Sequence, residues 1–142
     1  GDVHDRMMLL GAQVVLKTVR AIENGDYALQ KQDDRLASKA PKIHHDTCRI
    51  EFDRPAREVH NFIRGLSPYP AAWTLLDGQE LKILRTTPEQ ADHDFSPGKI
   101  IAEEQRELKI AVSDGFVHVH ELQLAGRRRM NVADFLNGYS FS

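Results

Sequence analysis

The amino-acid sequence predicts a mainly β fold with short helices (α+β), arranged as a small closed or nearly closed barrel of about six strands. Short apolar runs of strand length fill the second half of the chain. Two pairs, Asp77-Gly78 and Asp114-Gly115, lie between such runs, and each favours a tight hairpin. Many short strands joined by tight turns favour a sheet that closes on itself, because closure removes exposed edges.

The composition is that of an ordinary globular protein. The chain has 142 residues, enough for one domain with an appendage, and 41% are hydrophobic and 28% charged. No apolar run approaches the roughly 18 residues of a membrane span, and the charged opening GDVHDR is unlike a signal peptide. The single cysteine, Cys48, excludes an internal disulfide and fits a reducing compartment, so we expect a cytoplasmic protein without membrane contact.

The first predicted element is a helix that begins at Asp2, its expected cap, and ends at Asn24-Gly25. Its apolar residues recur with helical spacing and form one broad face: Val3, Met7, Met8, Leu10, Val14, Val15, Val19 and Ile22. One helix cannot bury such a face alone. We therefore expect residues 1–24 to be the last helix of a neighbouring domain and the chain to be part of a longer protein. Residues 25–42 are polar without a sustained period, which predicts a linker.

The predicted barrel occupies residues 43–142. Its first strand is expected over residues 47–52, and Asp53 is the expected cap of a short helix that follows. The remaining strands are expected over residues 73–76, 81–84, 99–102, 108–112 and 116–124. Residues 86–97 are polar and contain two prolines, which predicts a loop.

Three consecutive arginines, Arg127, Arg128 and Arg129, follow the small-residue turn at Ala125-Gly126 in a chain of net charge -2. Cations grouped against the overall charge repel one another and usually bind an anion. The commonest polyanion is a nucleic-acid backbone. The alternative interpretation is a solvated basic corner that has no partner.

Residue types that could bind a metal or act as acid and base occur without the motifs that usually accompany them. His44, His45, Asp46 and Cys48 lie close together in sequence, but no CxxC pair or HExxH helix accompanies them. The sequence also lacks a glycine-rich phosphate loop and a nucleophile elbow. We therefore expect no metal site and no catalytic residue in this chain.

Several ordered segments resemble one family, the bacterial methionyl-tRNA formyltransferases. The segments that resemble the linker and C-terminal domain of these enzymes are APKI (40–43), RIEF (49–52), IRGLSPYPAAW (63–73), PGKI (97–100), ELQLAGRRRM (121–130) and DFL (134–136). VHDRM (3–7) and LGA (10–12) resemble the last helix of their catalytic domain. The resemblance covers essentially the whole chain.

The resemblance implies an enzyme that transfers a formyl group from 10-formyltetrahydrofolate to the methionyl amino group of initiator tRNA at the start of translation. It implies that the folate site and catalytic residues lie in an N-terminal domain outside this chain, which alone should be inactive. Residues 43–142 would form an OB-like barrel that helps to hold the tRNA. The implied tRNA-binding residues are Lys42, Arg127, Arg128 and Arg129, with Arg64 as a weaker candidate. The implied partners are initiator methionyl-tRNA and the N-terminal catalytic domain, in a monomeric enzyme.

Two alternatives remain open at this stage. Relatives that formylate sugar nucleotides or use formylfolate share a similar barrel but have no need of the cationic turn. The barrel could also be a structural support between domains, with solvated basic residues and no nucleic-acid contact.

Overall fold

A long helix, a curled antiparallel sheet and two short helices make up the chain in the computed structural model, which describes residues 1–103 and 106–139. The chain divides into two units, Gly1–Lys42 and Ile43–Ser142. No helix within the described ranges combines the length and the apolar character needed to cross a membrane.

The first unit contains α1 (Asp2–Glu23) and a single 3-10 turn (Asp34–Leu36). Asp2 is the first helical residue and Gly1 is the N-cap, so the predicted capping role of Asp2 is wrong; its carboxylate lies in the first turn instead. Gly25 ends the helix with φ at 67°. None of the residues of α1 is buried. Its large apolar side chains are each at least 47% exposed: Val3, Met7, Met8, Leu9, Leu10, Val14, Val15, Leu16, Val19 and Ile22.

The second unit is built on six strands and two helices. They are α2 (Ala56–Leu66), β1 (Ala72–Leu76), β2 (Gln79–Gln90), β3 (Ile100–Glu103), β4 (Glu107–Val112), β5 (Gly115–Leu124), β6 (Met130–Asn131) and α3 (Val132–Gly138). The strand order is β1-β2-β5-β4-β3. β6 pairs with Glu121 and Leu122 of β5, beyond the part of β5 that pairs with β4. Every pairing is antiparallel. The prediction of a mainly β, α+β fold with about six strands and short helices is confirmed.

The core lies between the concave side of the sheet and the two short helices. α2 buries Val59, Ile63 and Leu66 on one side at helical spacing. The sheet contributes Leu81, Ile83, Leu108, Ile110, Val112, Val117, Val119 and Leu122, each 2% exposed or less. Within each regular stretch of strand these residues recur at every second position, which places them on one face of the sheet, although Leu84, Ala111 and Phe116 beside them are buried as well.

Both Asp-Gly pairs mark hairpins, as predicted. Asp77 and Gly78, with φ of 48° and 78°, are the two turn residues between β1 and β2. Between β4 and β5 the turn residues are Ser113 and Asp114, and Gly115 is already the first residue of β5.

The strand predicted over residues 47–52 is wrong. Asp46–Cys48 forms a 3-10 turn, because the Thr47 hydroxyl donates to the His44 carbonyl at 2.7 Å and closes the segment on itself. Only one parallel bridge, between Arg49 and Trp73, joins this segment to the sheet within the described part of the chain. The sixth strand is β6 instead.

Two further local predictions are corrected. β2 continues to Gln90, so the first part of the loop predicted over residues 86–97 is strand, paired with β5 along its length. Asp53 does not cap α2, whose N-cap is Pro55. The carboxylate of Asp114, in the β4–β5 turn, accepts the Ala56 backbone N–H at 2.6 Å.

Candidate nucleic-acid interface

The three consecutive arginines lie in the turn of the β5–β6 hairpin. β5 ends at Leu124, Gly126 turns the chain with φ at 73°, and β6 returns along β5 from Met130. The turn is held by two hydrogen bonds, both of 2.9 Å: the Arg127 backbone N–H donates to the Leu124 carbonyl, and the side-chain Nε2 of Gln123 donates to the Arg127 carbonyl. The arginine side chains are all exposed. A well-held turn therefore presents three guanidinium groups to solvent.

The three arginines differ in how far they are neutralised. Arg129 is paired with Glu121 of β5, to which its Nε donates at 2.7 Å. Arg127 and Arg128 have no ion-pair partner among the described residues. Within the described residues, two of the three guanidinium groups are therefore without a neutralising carboxylate, and the third has one.

A fourth arginine joins this group through the register of the sheet. Arg85 of β2 lies opposite Glu121, with its Nη1 3.9 Å from Glu121 Oε1. The register shift between Ile83 and Arg85 leaves Leu84 as an extra residue in β2, and the shift between Arg85 and Thr86 leaves His120 as an extra residue in β5. Both Ile83 and Leu84 are buried. This bulge makes Arg85 point outward, where simple alternation would give an inward side chain.

Local sequence signals give no indication of the role of Arg85. The residue falls between a predicted strand and a predicted loop, and only the pairing of β2 with β5 brings it to Glu121. The two residues are 36 positions apart in the sequence, and nothing in the residues between them indicates that they meet.

The other two predicted tRNA-binding residues lie elsewhere. Arg64 is exposed in the last turn of α2, and its charge adds to burial in lowering the pKa of His60 on the same helix. Lys42 is exposed and is the last residue of the first unit. Neither residue has an ion-pair partner within residues 1–103 and 106–139. Within the described part of the second unit, the structure shows no contact between Arg64 and the arginine turn.

The residues of metal-ligand type make other contacts. His45 Nε2 lies 2.9 Å from Glu80 Oε2, and the His45 ring stacks on Trp73 with centroids 4.7 Å apart. Cys48 is buried, and its thiol donates to the His44 carbonyl at 3.3 Å. In the described part of the chain, no group of three or more His, Cys, Asp or Glu side chains is placed to hold a metal ion.

The curled sheet, its two short helices and the exposed basic hairpin define the second unit as a small α+β module with a cationic edge. Residues 42–140 match the family model described as formyl transferase, C-terminal domain, and the chain belongs to that family. The family resemblance identified from the sequence is thereby confirmed.

Curated relatives match the chain along nearly all of its length. The methionyl-tRNA formyltransferase of Phocaeicola vulgatus is 47% identical over 150 residues, covering 99% of this chain and 46% of the relative. The enzyme of the same name from Parabacteroides distasonis is 43% identical, covering 96% and 45%. That of Flavobacterium johnsoniae is 40% identical, covering 100% and 46%. The chain thus spans somewhat less than half the length of these relatives.

Solved structures of HypX from Aquifex aeolicus share the fold. A variant of that protein superposes with a TM-score of 0.66 at 19% identity, covering 92% of this chain and 24% of HypX. The complex of HypX with tetrahydrofolic acid gives a TM-score of 0.65 and covers 87% and 22%. At this identity the similarity concerns the fold alone.

Proposed function

We propose that this chain is the C-terminal, tRNA-positioning part of a methionyl-tRNA formyltransferase. The whole enzyme would transfer a formyl group from 10-formyltetrahydrofolate to the methionyl amino group of initiator tRNA. The observation that carries the proposal is the 47% identity to an enzyme of that name across 99% of this chain. The exposed, unpaired guanidinium groups of Arg127 and Arg128 supply a chemical reason for RNA contact.

In this proposal the two units belong to different parts of the whole enzyme. Residues 1–24 are the final helix of the catalytic domain, residues 25–42 are a linker, and residues 43–142 are the OB-like barrel. The exposed apolar side of α1 supports the assignment, because ten large apolar side chains on one helix need a surface to cover them. The catalytic domain is the partner that would do so, and it would also bind the folate in a cytoplasmic, monomeric enzyme.

The role of the barrel follows from the charge of its edge. An RNA backbone presents a phosphate at every nucleotide, and arginine forks bind phosphate oxygens through paired N–H groups. Arg127 and Arg128 would bind the tRNA backbone and fix its orientation without reading bases. Lys42 would contribute from the linker, and Arg64 and Arg129 more weakly.

The test is to replace Arg127 and Arg128 together by alanine in the full-length enzyme. Each lost phosphate contact lowers the slope of log affinity against log salt by about 0.7 to 0.9. Two lost contacts should weaken tRNA binding at 0.1 M salt by roughly 25- to 60-fold. Fluorescence titration of tRNA at several salt concentrations measures both quantities, and KM for methionyl-tRNA should rise while kcat changes little.

A matched control removes two other positive charges from the same unit. Arg54 is held by Glu51, and Arg57 lies on α2; their double alanine variant should bind tRNA nearly as tightly as the wild type. An unchanged salt slope in the Arg127→Ala/Arg128→Ala variant would favour a purely structural role for the barrel. Formylation of an amino-sugar nucleotide in place of methionyl-tRNA would favour the sugar-nucleotide alternative.

A further inference from the structure

Glu121 is the carboxylate on which two arginines from different strands converge. Arg129 reaches it from beyond the β5–β6 turn, and Arg85 reaches it from β2. The Glu121 side chain is 25% exposed, whereas those of Arg129 and Arg85 are 52% and 72% exposed. One negative charge therefore lies beneath two more exposed positive charges.

This arrangement leaves an excess positive charge next to the arginine turn. The group of Arg85, Arg127, Arg128, Arg129 and Glu121 has four positive charges and one negative charge. Ion pairs between exposed side chains are weak and are screened by salt, so an incoming anion can compete for the guanidinium groups. A phosphate has the same type of oxygen acceptor as a carboxylate and suits the guanidinium fork equally well.

The bulge in β2 is a second, independent observation about the same place. It makes Arg85 point to the outer face instead of the core and sets it opposite Glu121. Bulges interrupt the regular ladder and are often found where a strand must re-aim a functional side chain. Here the re-aimed side chain is a cation that faces a carboxylate already paired with another cation.

We propose that Arg85 and Arg129 form a second RNA-phosphate site beside Arg127 and Arg128, and that Glu121 occupies this site in the absence of RNA. The proposal rests on the tRNA-binding function proposed above and adds a residue and a mechanism to it. The RNA backbone crosses from the hairpin turn onto the outer face of β2. Glu121 weakens binding through its opposing charge, and it keeps the two guanidinium groups side by side until a phosphate replaces it.

The deciding variant is Glu121→Gln, which keeps the size of the side chain and removes its charge. One additional net positive charge facing the RNA should tighten binding of an initiator tRNA transcript about five- to eightfold at 0.1 M salt and steepen the salt slope by about 0.7 to 0.9. Arg85→Ala should weaken binding by a similar factor. Arg85→Ala in the Glu121→Gln background should cancel the gain.

Glu51→Gln is the matched control, because Glu51 also holds an exposed arginine, Arg54, with a 2.7 Å hydrogen bond. It makes the same change in net charge away from the proposed site and should alter tRNA affinity less than twofold. An equal gain from Glu51→Gln would overturn the proposal by showing a general effect of charge. Unchanged or weaker binding by Glu121→Gln would also overturn it and would make Glu121 a structural support for Arg129.

The outcomes separate this proposal from the one it rests on. If the wild-type enzyme binds no tRNA even at low salt, the proposed function itself fails. If binding is lost in Arg127→Ala/Arg128→Ala but does not respond to Arg85→Ala or Glu121→Gln, the function stands and the second phosphate site is wrong. Circular dichroism of each variant verifies that the sheet is retained.

Discussion

Gly115 shows how one missing side chain permits a close approach of two strands. It begins β5 with φ at 154°, a conformation that residues with a side chain rarely adopt. A Cβ atom built there would overlap the Glu89 carbonyl oxygen and lie 2.9 Å from the Ala91 nitrogen. Both atoms belong to backbone on the neighbouring chain segment, so neither can move without distorting the β2–β5 pairing.

Gly115→Ala should therefore lower the free energy of unfolding by about 3 kcal/mol, through the steric overlap and the strained φ together. Gly78→Ala is the matched control: φ is also positive there, at 78°, but a Cβ atom would meet nothing within 4 Å. It should cost only about 1 kcal/mol, the price of the backbone conformation. Urea denaturation of both variants measures the difference. Equal losses would show that the sheet accommodates the added methyl group.

At the scale of elements, α2 depends on a residue far along the chain. Its N-cap, Pro55, has no side chain that can accept a hydrogen bond, and the first N–H of the helix is bound by Asp114, which lies 58 residues further on. Asp53 is the predicted cap because it is the capping residue type that lies just before the helix in sequence, whereas Asp114 reaches the helix only through the fold. The β4–β5 turn thus stabilises the start of a helix on the other side of the core.

Asp114→Ala should destabilise the second unit by about 1 kcal/mol, the usual cost of losing a side-chain cap. Asp114→Asn should lose less, because an amide oxygen remains to accept the Ala56 N–H. Asp53→Ala should leave stability nearly unchanged, since that carboxylate does not cap the helix. Thermal unfolding of the three variants provides the measurement. If Asp53→Ala lowered the stability more than Asp114→Ala, Asp53 would be the cap of α2 after all.

For the molecule as a whole, local signals predicted the fold well and the candidate site only in part. Hairpin pairs and apolar runs depend on neighbours in sequence. They led to the correct hairpins and to most of the strands, but apolar alternation also predicted a strand over residues 47–52 where the chain forms a 3-10 turn. Arg85 and the pairing of Glu121 with Arg129 depend on strand register and on a bulge. Sequence periodicity contains no information about either. The sequence therefore predicts the arginine turn, but not the carboxylate of Glu121 that partly neutralises it.

We expect the stability of the second unit to depend on pH through two histidines whose pKa values are lowered in the folded chain. His60 of α2 lies against β2, with its Nδ1 2.9 Å from the Thr86 hydroxyl. Burial, followed by the positive charge of Arg64, lowers the pKa of His60 below its ordinary value of 6.5. Burial and then Arg85 lower the pKa of His120 in the same direction. We expect the smaller contribution from His120 because its side chain is exposed and solvent screens it.

The direction of the pH effect follows from the lowered pKa values of His60 and His120. The unfolded chain takes up protons on these histidines near pH 6.5, while the folded chain resists protonation until a lower pH. The free energy of unfolding should therefore be nearly constant above about pH 7.5 and fall as the pH drops from 6.5 towards 5.5. His60→Gln, which retains a group able to hydrogen-bond Thr86, should flatten part of this fall. Urea denaturation at pH 7.5, 6.5 and 5.5 tests the expectation, and an equally steep fall in His60→Gln would assign the pH dependence to other groups.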